Sequence, residues 1–123
     1  MAFLQHASQA LRDLGVDAAR IAWDPGIGFG KTVEQNFALL ARQHELLAAG
    51  YPLVVGWSRK SSLGTVTGAA VNERVPASVA AALLAVDRGA AIVRVHDVRE
   101  TVVALKVWSA TQAALSGQGA GNT

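Results

Sequence analysis

Three short apolar runs, Ile21-Ala22-Trp23, Leu53-Val54-Val55 and Ala91-Ile92-Val93-Arg94-Val95, constrain this chain more than any other feature. Each gives way to a polar loop and then to a segment with apolar residues at helical spacing. Parallel strands need a crossover between them, most often a helix, so this alternation predicts an α/β protein with a parallel sheet. The middle run carries no polar residue, as expected of a strand covered on both faces. In open sheets and in barrels alike, ligands bind at the C-terminal ends of such strands. The chain's unusual residues lie at those ends.

Phe3, Leu4, Ala7, Leu11 and Leu14 predict a first helix closed by Gly15. Thr32-Val33-Glu34-Gln35 has the capping-box pattern, and Phe37, Leu39, Leu40, Leu46 and Leu47 carry a second helix to Gly50. A very apolar helix is expected near Ser78 to Arg88, and a last one from about Val98 to Leu115, with Val102, Leu105 and Trp108 among its apolar positions. Trp57 to Val75 reads as a polar connection. The domain is expected over residues 1–116, with 117–123 as a disordered tail. Trp23 and Trp108 belong in the core, Trp57 in the core or the wall of a site, and His6 and His44 at the surface.

With 123 residues, 51% of them hydrophobic, the chain can bury one core. The formal charge is +2 and its cations are scattered, so no basic stripe points to nucleic acid. No cysteine is present, which excludes disulfide scaffolds, thiolate nucleophiles and thiolate metal sites. The N-terminus lacks the features of a signal peptide, and no window is apolar for long enough to span a bilayer. These readings lead to a cytoplasmic protein without a membrane partner.

The stretch DPGIGFGKT, Asp24 to Thr32, suggests a phosphate-wrapping loop at first glance. A P-loop needs a glycine five positions before the glycine of Gly-Lys-Thr, and Pro25 stands there, with no N–H to offer. The dinucleotide fingerprint fails too, because its third glycine falls on Lys31 or Val33. What remains is Asp24, held at a strand tip by proline and glycine, either for a ligand or as the cap of its own turn. At the second strand end, GWSRKSS offers Lys60 as a mobile charge and Ser58 or Ser61 as hydrogen-bonding groups, or else forms a solvated basic turn. On the third strand, alternation puts Ile92, Arg94 and His96 on one side. Arginine and histidine on a buried strand require an anion, and a phosphate or pyrophosphate suits them. The competing arrangement is an internal ion pair with Asp97 or Asp87. No histidines or carboxylates have metal-ligand spacing.

In this order and at these strand ends, DPGIGFGKT, GWSRKS and RVHDV resemble the dihydropteroate synthases, from the first helix to about Ala110. The resemblance implies a (β/α)8 TIM barrel, of which this chain holds the C-terminal three β/α units preceded by one helix. It implies condensation of 6-hydroxymethyl-7,8-dihydropterin pyrophosphate with p-aminobenzoate in folate synthesis, releasing pyrophosphate with the help of Mg2+. By the same resemblance Asp24, Gly56, Lys60 and Arg94 bind the pterin, Phe29 and Ser61 the p-aminobenzoate, and Arg94 and His96 the pyrophosphate. The family's magnesium ligand lies in earlier strand-end loops outside these residues, so no metal ligand is assigned in this chain. No covalent nucleophile is implied. Sulfonamides occupy the p-aminobenzoate position, and such enzymes are usually homodimers through the late helices. Two alternatives accompany this expectation: an inactive fragment of such an enzyme, and a methyltetrahydrofolate-binding methyltransferase type of pterin protein, which shares the barrel and the aspartate.

Overall fold

The computed structural model describes residues 2–119. Five α-helices, α1 (Ala2–Asp13), α2 (Val33–Ala41), α3 (Ser61–Thr67), α4 (Val75–Asp87) and α5 (Val98–Gly119), surround two parallel strands, β1 (Leu53–Val55) and β2 (Ala90–Val93). The strands pair Leu53 with Ala90, Val54 with Ile92 and Val55 with Val93, with one irregularity after Leu53. The expected first strand is reduced to a single parallel bridge between Trp23 and Leu53. Trp23 takes both bonds there, donating its N–H to the Pro52 carbonyl and accepting from Val54 N. Pro25 then removes a donor and Gly26 turns left-handed, so the segment cannot continue as a strand.

β1 lies between the Trp23 segment and β2, and Leu53 and Val55 are fully buried, as its unbroken apolar run predicts. The core gathers Ile21, Trp23, Ile27, Leu40, Leu63 and Ala85 around it. Trp23 stacks on Tyr51 and donates its indole N–H to Ser8 of α1, which passes a bond to the Leu4 carbonyl. α4 presents Ala81, Ala82 and Ala85 inward.

Several sequence expectations are corrected. The second helix does not run to Gly50; it stops at Ala41 and tightens into a 3-10 segment, Gln43–Ala49. Three-residue winding puts Gln43, Leu46 and Ala49 on one face, where Gln43 is buried and donates to the terminal carbonyls of α4, Ala85 and Arg88. Those carbonyls have no partner within their own helix. The polar connection contains α3, closed by left-handed Gly68. β2 ends two residues early: Arg94 N still bonds Val55 O, but His96 N turns to the Ser58 side chain. Its outer side is not buried, since Ile92 is 54% exposed. The burial argument for an anion beside Arg94 and His96 therefore fails, and the anion must be argued from contacts.

Trp108 is only half-buried and donates to Asp87. Trp57 is core, packed on Phe37 with ring centroids 4.9 Å apart. α5 continues to Gly119, while the rest of the expected tail, residues 120–123, lies outside the described residues. Among the described residues no helix is long and apolar enough to cross a membrane.

Candidate functional site

The glycine loop is organised from within. Asp24 Oδ1 accepts Gly26 N at 2.9 Å, fixing the turn that follows the strand tip. Gly26, Gly28 and Gly30 all have positive φ, which a side chain would resist. The Lys31 ammonium folds back onto the Gly26 and Phe29 carbonyls. These backbone oxygens face a cation inside the loop, the reverse of a phosphate cradle, in which N–H groups converge. Asn36 of α2 anchors the loop's middle: its Oδ1 accepts Gly28 N and its Nδ2 donates to Ser62 Oγ of α3, with Asn36 and Ser62 both buried.

Lys60, from the β1–α3 loop, crosses to the glycine loop. Its ammonium donates to the Ile27 carbonyl and lies 4.8 Å from the centre of the Phe29 ring. Its methylene chain runs against Gly28, where a Cβ would come within 3.1 Å of Lys60 Cδ. Burial, followed by the positive charge of Arg94, holds the Lys60 pKa below the usual lysine value.

Arg94 closes the cluster. Its Nη1 donates to Asp24 Oδ2 at 2.6 Å, and its guanidinium lies on Gly56, where a Cβ would stand 2.8 Å from Nη2. The pair is half-exposed, so it orients more than it stabilises. Neither internal partner considered from the sequence pairs with Arg94. Asp97 takes the Arg59 fork, at 2.6 and 3.3 Å, and Asp87 takes Trp108. The Arg59 hydrogen bond holds the Asp97 carboxyl below its ordinary value.

Ser58 and Arg59 thus grip His96 and Asp97, two neighbours holding two neighbours across the parallel strands. The Ser58 hydroxyl accepts His96 N at 3.1 Å and lies 2.8 Å from Nδ1. Arg59 has φ of 57°, and its N–H to Ser78 and its carbonyl to Arg74 hold that left-handed turn.

Asp24, Phe29, Gly56, Lys60 and Arg94 are therefore drawn into one cluster from all three motif loops, with His96 fixed beside it by Ser58. Ser61 stands exposed at the start of α3, and its side chain bonds none of them. Sequence reasoning missed Asn36, Ser62 and Lys31 as loop supports and the Asp24–Arg94 pair. These partners are up to 70 residues apart, and only their positions within recognisable loops could have signalled them.

The structure brings a carboxylate, a lysine and an arginine together at the parallel strand ends of an α/β protein. The family model described as "Pterin binding enzyme" matches residues 1–96, and the chain belongs to that family. Within it, the chain is 45% identical over 111 residues to the dihydropteroate synthase of Haemophilus influenzae, covering 90% of this chain and 40% of that protein. It is 55% identical over 100 residues to the Neisseria meningitidis serogroup B enzyme, covering 78% and 35%. Dihydropteroate synthase from Stenotrophomonas maltophilia superposes with a TM-score of 0.89 at 50% identity, over 91% of this chain and 43% of the other. The Xanthomonas albilineans enzyme in complex with 7,8-dihydropteroate gives 0.89 at 48%, over 91% and 43%. The chain thus spans about two fifths of the length of these relatives.

Proposed function

We propose that this chain supplies the pterin, pyrophosphate and p-aminobenzoate contacts of a dihydropteroate synthase, as the last three units of a (β/α)8 barrel. The observation that carries this reading is the Arg94–Asp24 pair lying on Gly56 beside Lys60, which joins the three motif loops at one place. The ligand assignment draws on relatives: the Xanthomonas albilineans enzyme has been solved with 7,8-dihydropteroate and with 4-aminobenzoic acid, and the Yersinia pestis enzyme with a sulfonamide drug.

In the reaction proposed, the bond between the pterin methylene and the pyrophosphate oxygen breaks and its electron pair leaves on the pyrophosphate. The aromatic amine then forms the new C–N bond and releases a proton. Asp24 uses two of its roughly four lone-pair sites within the chain, which leaves acceptor capacity for the N–H edge of a heterocycle. Lys60 and Gly56 bound the same space. Arg94 and His96 would donate to the oxygens on which negative charge develops, a contribution that grows toward the transition state. Phe29, 69% exposed, and Ser61 would border the amine.

Magnesium would help the leaving pyrophosphate in this family. Asp24 and Asp97 are each engaged by an arginine, and the family's magnesium ligand is expected in earlier strand-end loops outside these residues. Exposed Val98, Val102, Val103 and Val107 along α5 support a homodimer through the late helices.

A second reading, binding without turnover, is favoured by the exposed outer side of β2. Pyrophosphate release separates the two. The 123-residue chain is assayed with the pterin pyrophosphate, Mg2+ and p-aminobenzoate, alone and with the remaining barrel units of the Haemophilus influenzae relative supplied in trans. Release that needs the added units and disappears in Arg94→Ala is the expected result. Release unaffected by Arg94→Ala, or none in the complemented mixture, would overturn the synthase reading. Methyl transfer to the same pterin site is tested in parallel, and finding it would support the methyltransferase alternative.

A further inference from the structure

The Ser58 hydroxyl is buried and, among the described residues, its one side-chain hydrogen-bond partner is the His96 imidazole. A buried hydroxyl carries one proton that must be donated, or the group is left costly and unsatisfied. Ser58 Oγ already accepts His96 N at 3.1 Å, and among the described residues the acceptor within reach of its own proton is His96 Nδ1 at 2.8 Å. With Nδ1 accepting, the proton of a neutral imidazole sits on Nε2, because the bond made by one ring nitrogen sets the state of the other. The residue that carries the ring is held at its backbone. Its own backbone N–H is held by the same oxygen, and Asp97, the next residue, is clamped by Arg59.

We propose that Ser58 is a positioning residue that locks His96 in the Nε2–H tautomer, so that the ring presents a hydrogen-bond donor, never a lone pair, to an anion at the strand ends. If the ring gains a second proton, Nδ1–H donates to Ser58 Oγ and Nε2–H is unchanged. The outward donor is therefore the same in both ring states, although protonation of the ring takes from the Ser58 proton its acceptor. The anion's identity as pyrophosphate rests on the function proposed above; the tautomer lock does not.

The test is imidazole 15N NMR on the full 123-residue chain at a pH where the rings are neutral, with His96 assigned against His6 and His44 through His96→Gln. The expected spectrum shows His96 Nδ1 unprotonated and Nε2 protonated, with exposed His6 and His44 exchanging between tautomers. Ser58→Ala should return His96 to that exchanging behaviour, and Ser58→Thr, which keeps the hydroxyl, should preserve the lock. A proton on Nδ1, or a His96 that exchanges freely in the unsubstituted chain, would overturn the proposal, as would a lock that survives in Ser58→Ala. Titration with inorganic pyrophosphate then reads the consequence: Ser58→Ala should weaken binding by about twofold, because the freed ring still spends part of its time as the Nε2–H tautomer, and adding His96→Gln should remove what remains of its contribution. A chain that shows the lock yet ignores pyrophosphate would support Ser58's role and sink the pyrophosphate reading alone.

Discussion

The strand-end side of this molecule and its α5 flank are built on opposite plans. At the strand ends, four polar pairs are tied across loops: Asn36 to Ser62, Arg94 to Asp24, Ser58 to His96 and Arg59 to Asp97. Along the flank, Val98, Val102, Val103 and Val107 stand exposed, and among its described side chains α5 buries little besides Thr101. Backbone and polar groups at a site must find partners nearby, whereas apolar side chains can wait for a surface to cover them. The contrast sets a side cross-linked through its polar groups against one whose apolar residues are exposed.

Core truncation should separate the two regions most sharply. Trp23→Ala removes an indole stacked on Tyr51 and anchored to Ser8, and should cost about 3–5 kcal/mol of stability in urea unfolding. Val107→Ala on the flank should stay within about 0.5 kcal/mol. A similar cost at both positions would erase the distinction.

Asn36→Ala should come next, at about 1–3 kcal/mol, because it leaves Gly28 N and Ser62 Oγ without their partner. Ligand affinity should fall with it, since Phe29 and Lys60 lean on that loop. Calorimetry with the pterin pyrophosphate would show a fall in stability without a fall in affinity if the loop were indifferent to its anchor.

Gly56→Ala should act on the site and spare the fold. A methyl group 2.8 Å from Arg94 Nη2 must push the guanidinium off Asp24, lowering pterin pyrophosphate affinity about tenfold, the equivalent of 1.4 kcal/mol. Thermal unfolding should move little, because the displaced pair is half-exposed. Unchanged affinity would show that the Arg94 position does not matter.

The smallest effect belongs to the Arg59–Asp97 clamp. Asp97 titrates below its ordinary value of 3.8 in the folded chain, so its contribution to stability is present above that pH and is lost as pH falls through the folded value. Asp97→Asn should therefore flatten the stability loss below pH 3.8 and change nothing in the slope near neutrality. A change confined to neutral pH would point away from the clamp.

Much of the site could be read from short stretches. Asp-Pro-Gly, Gly-Trp-Ser-Arg-Lys-Ser and Arg-Val-His-Asp are local patterns, and the structure gathers Asp24, Gly56, Lys60 and Arg94 from them as a cluster. The α3 helix was hidden because serine, threonine and Gly64 are poor helix formers, held there by contacts with the rest of the chain. The turn from α2 into a 3-10 segment was hidden for a different reason. Gln43 reads as an ordinary surface residue until α4 supplies the carbonyls that draw it inward.

By itself the sequence determined the alternation of strand and helix, the polar loops at the strand ends and the failure of the glycine loop as a phosphate cradle, because all three depend on residues a few positions apart. Only the tertiary structure decided that Arg94 would meet Asp24, that Ser58 would hold His96, and that Ile92 would face outward. Those outcomes depend on which segments lie side by side, and a bond across 70 residues leaves no trace in the spacing of either partner.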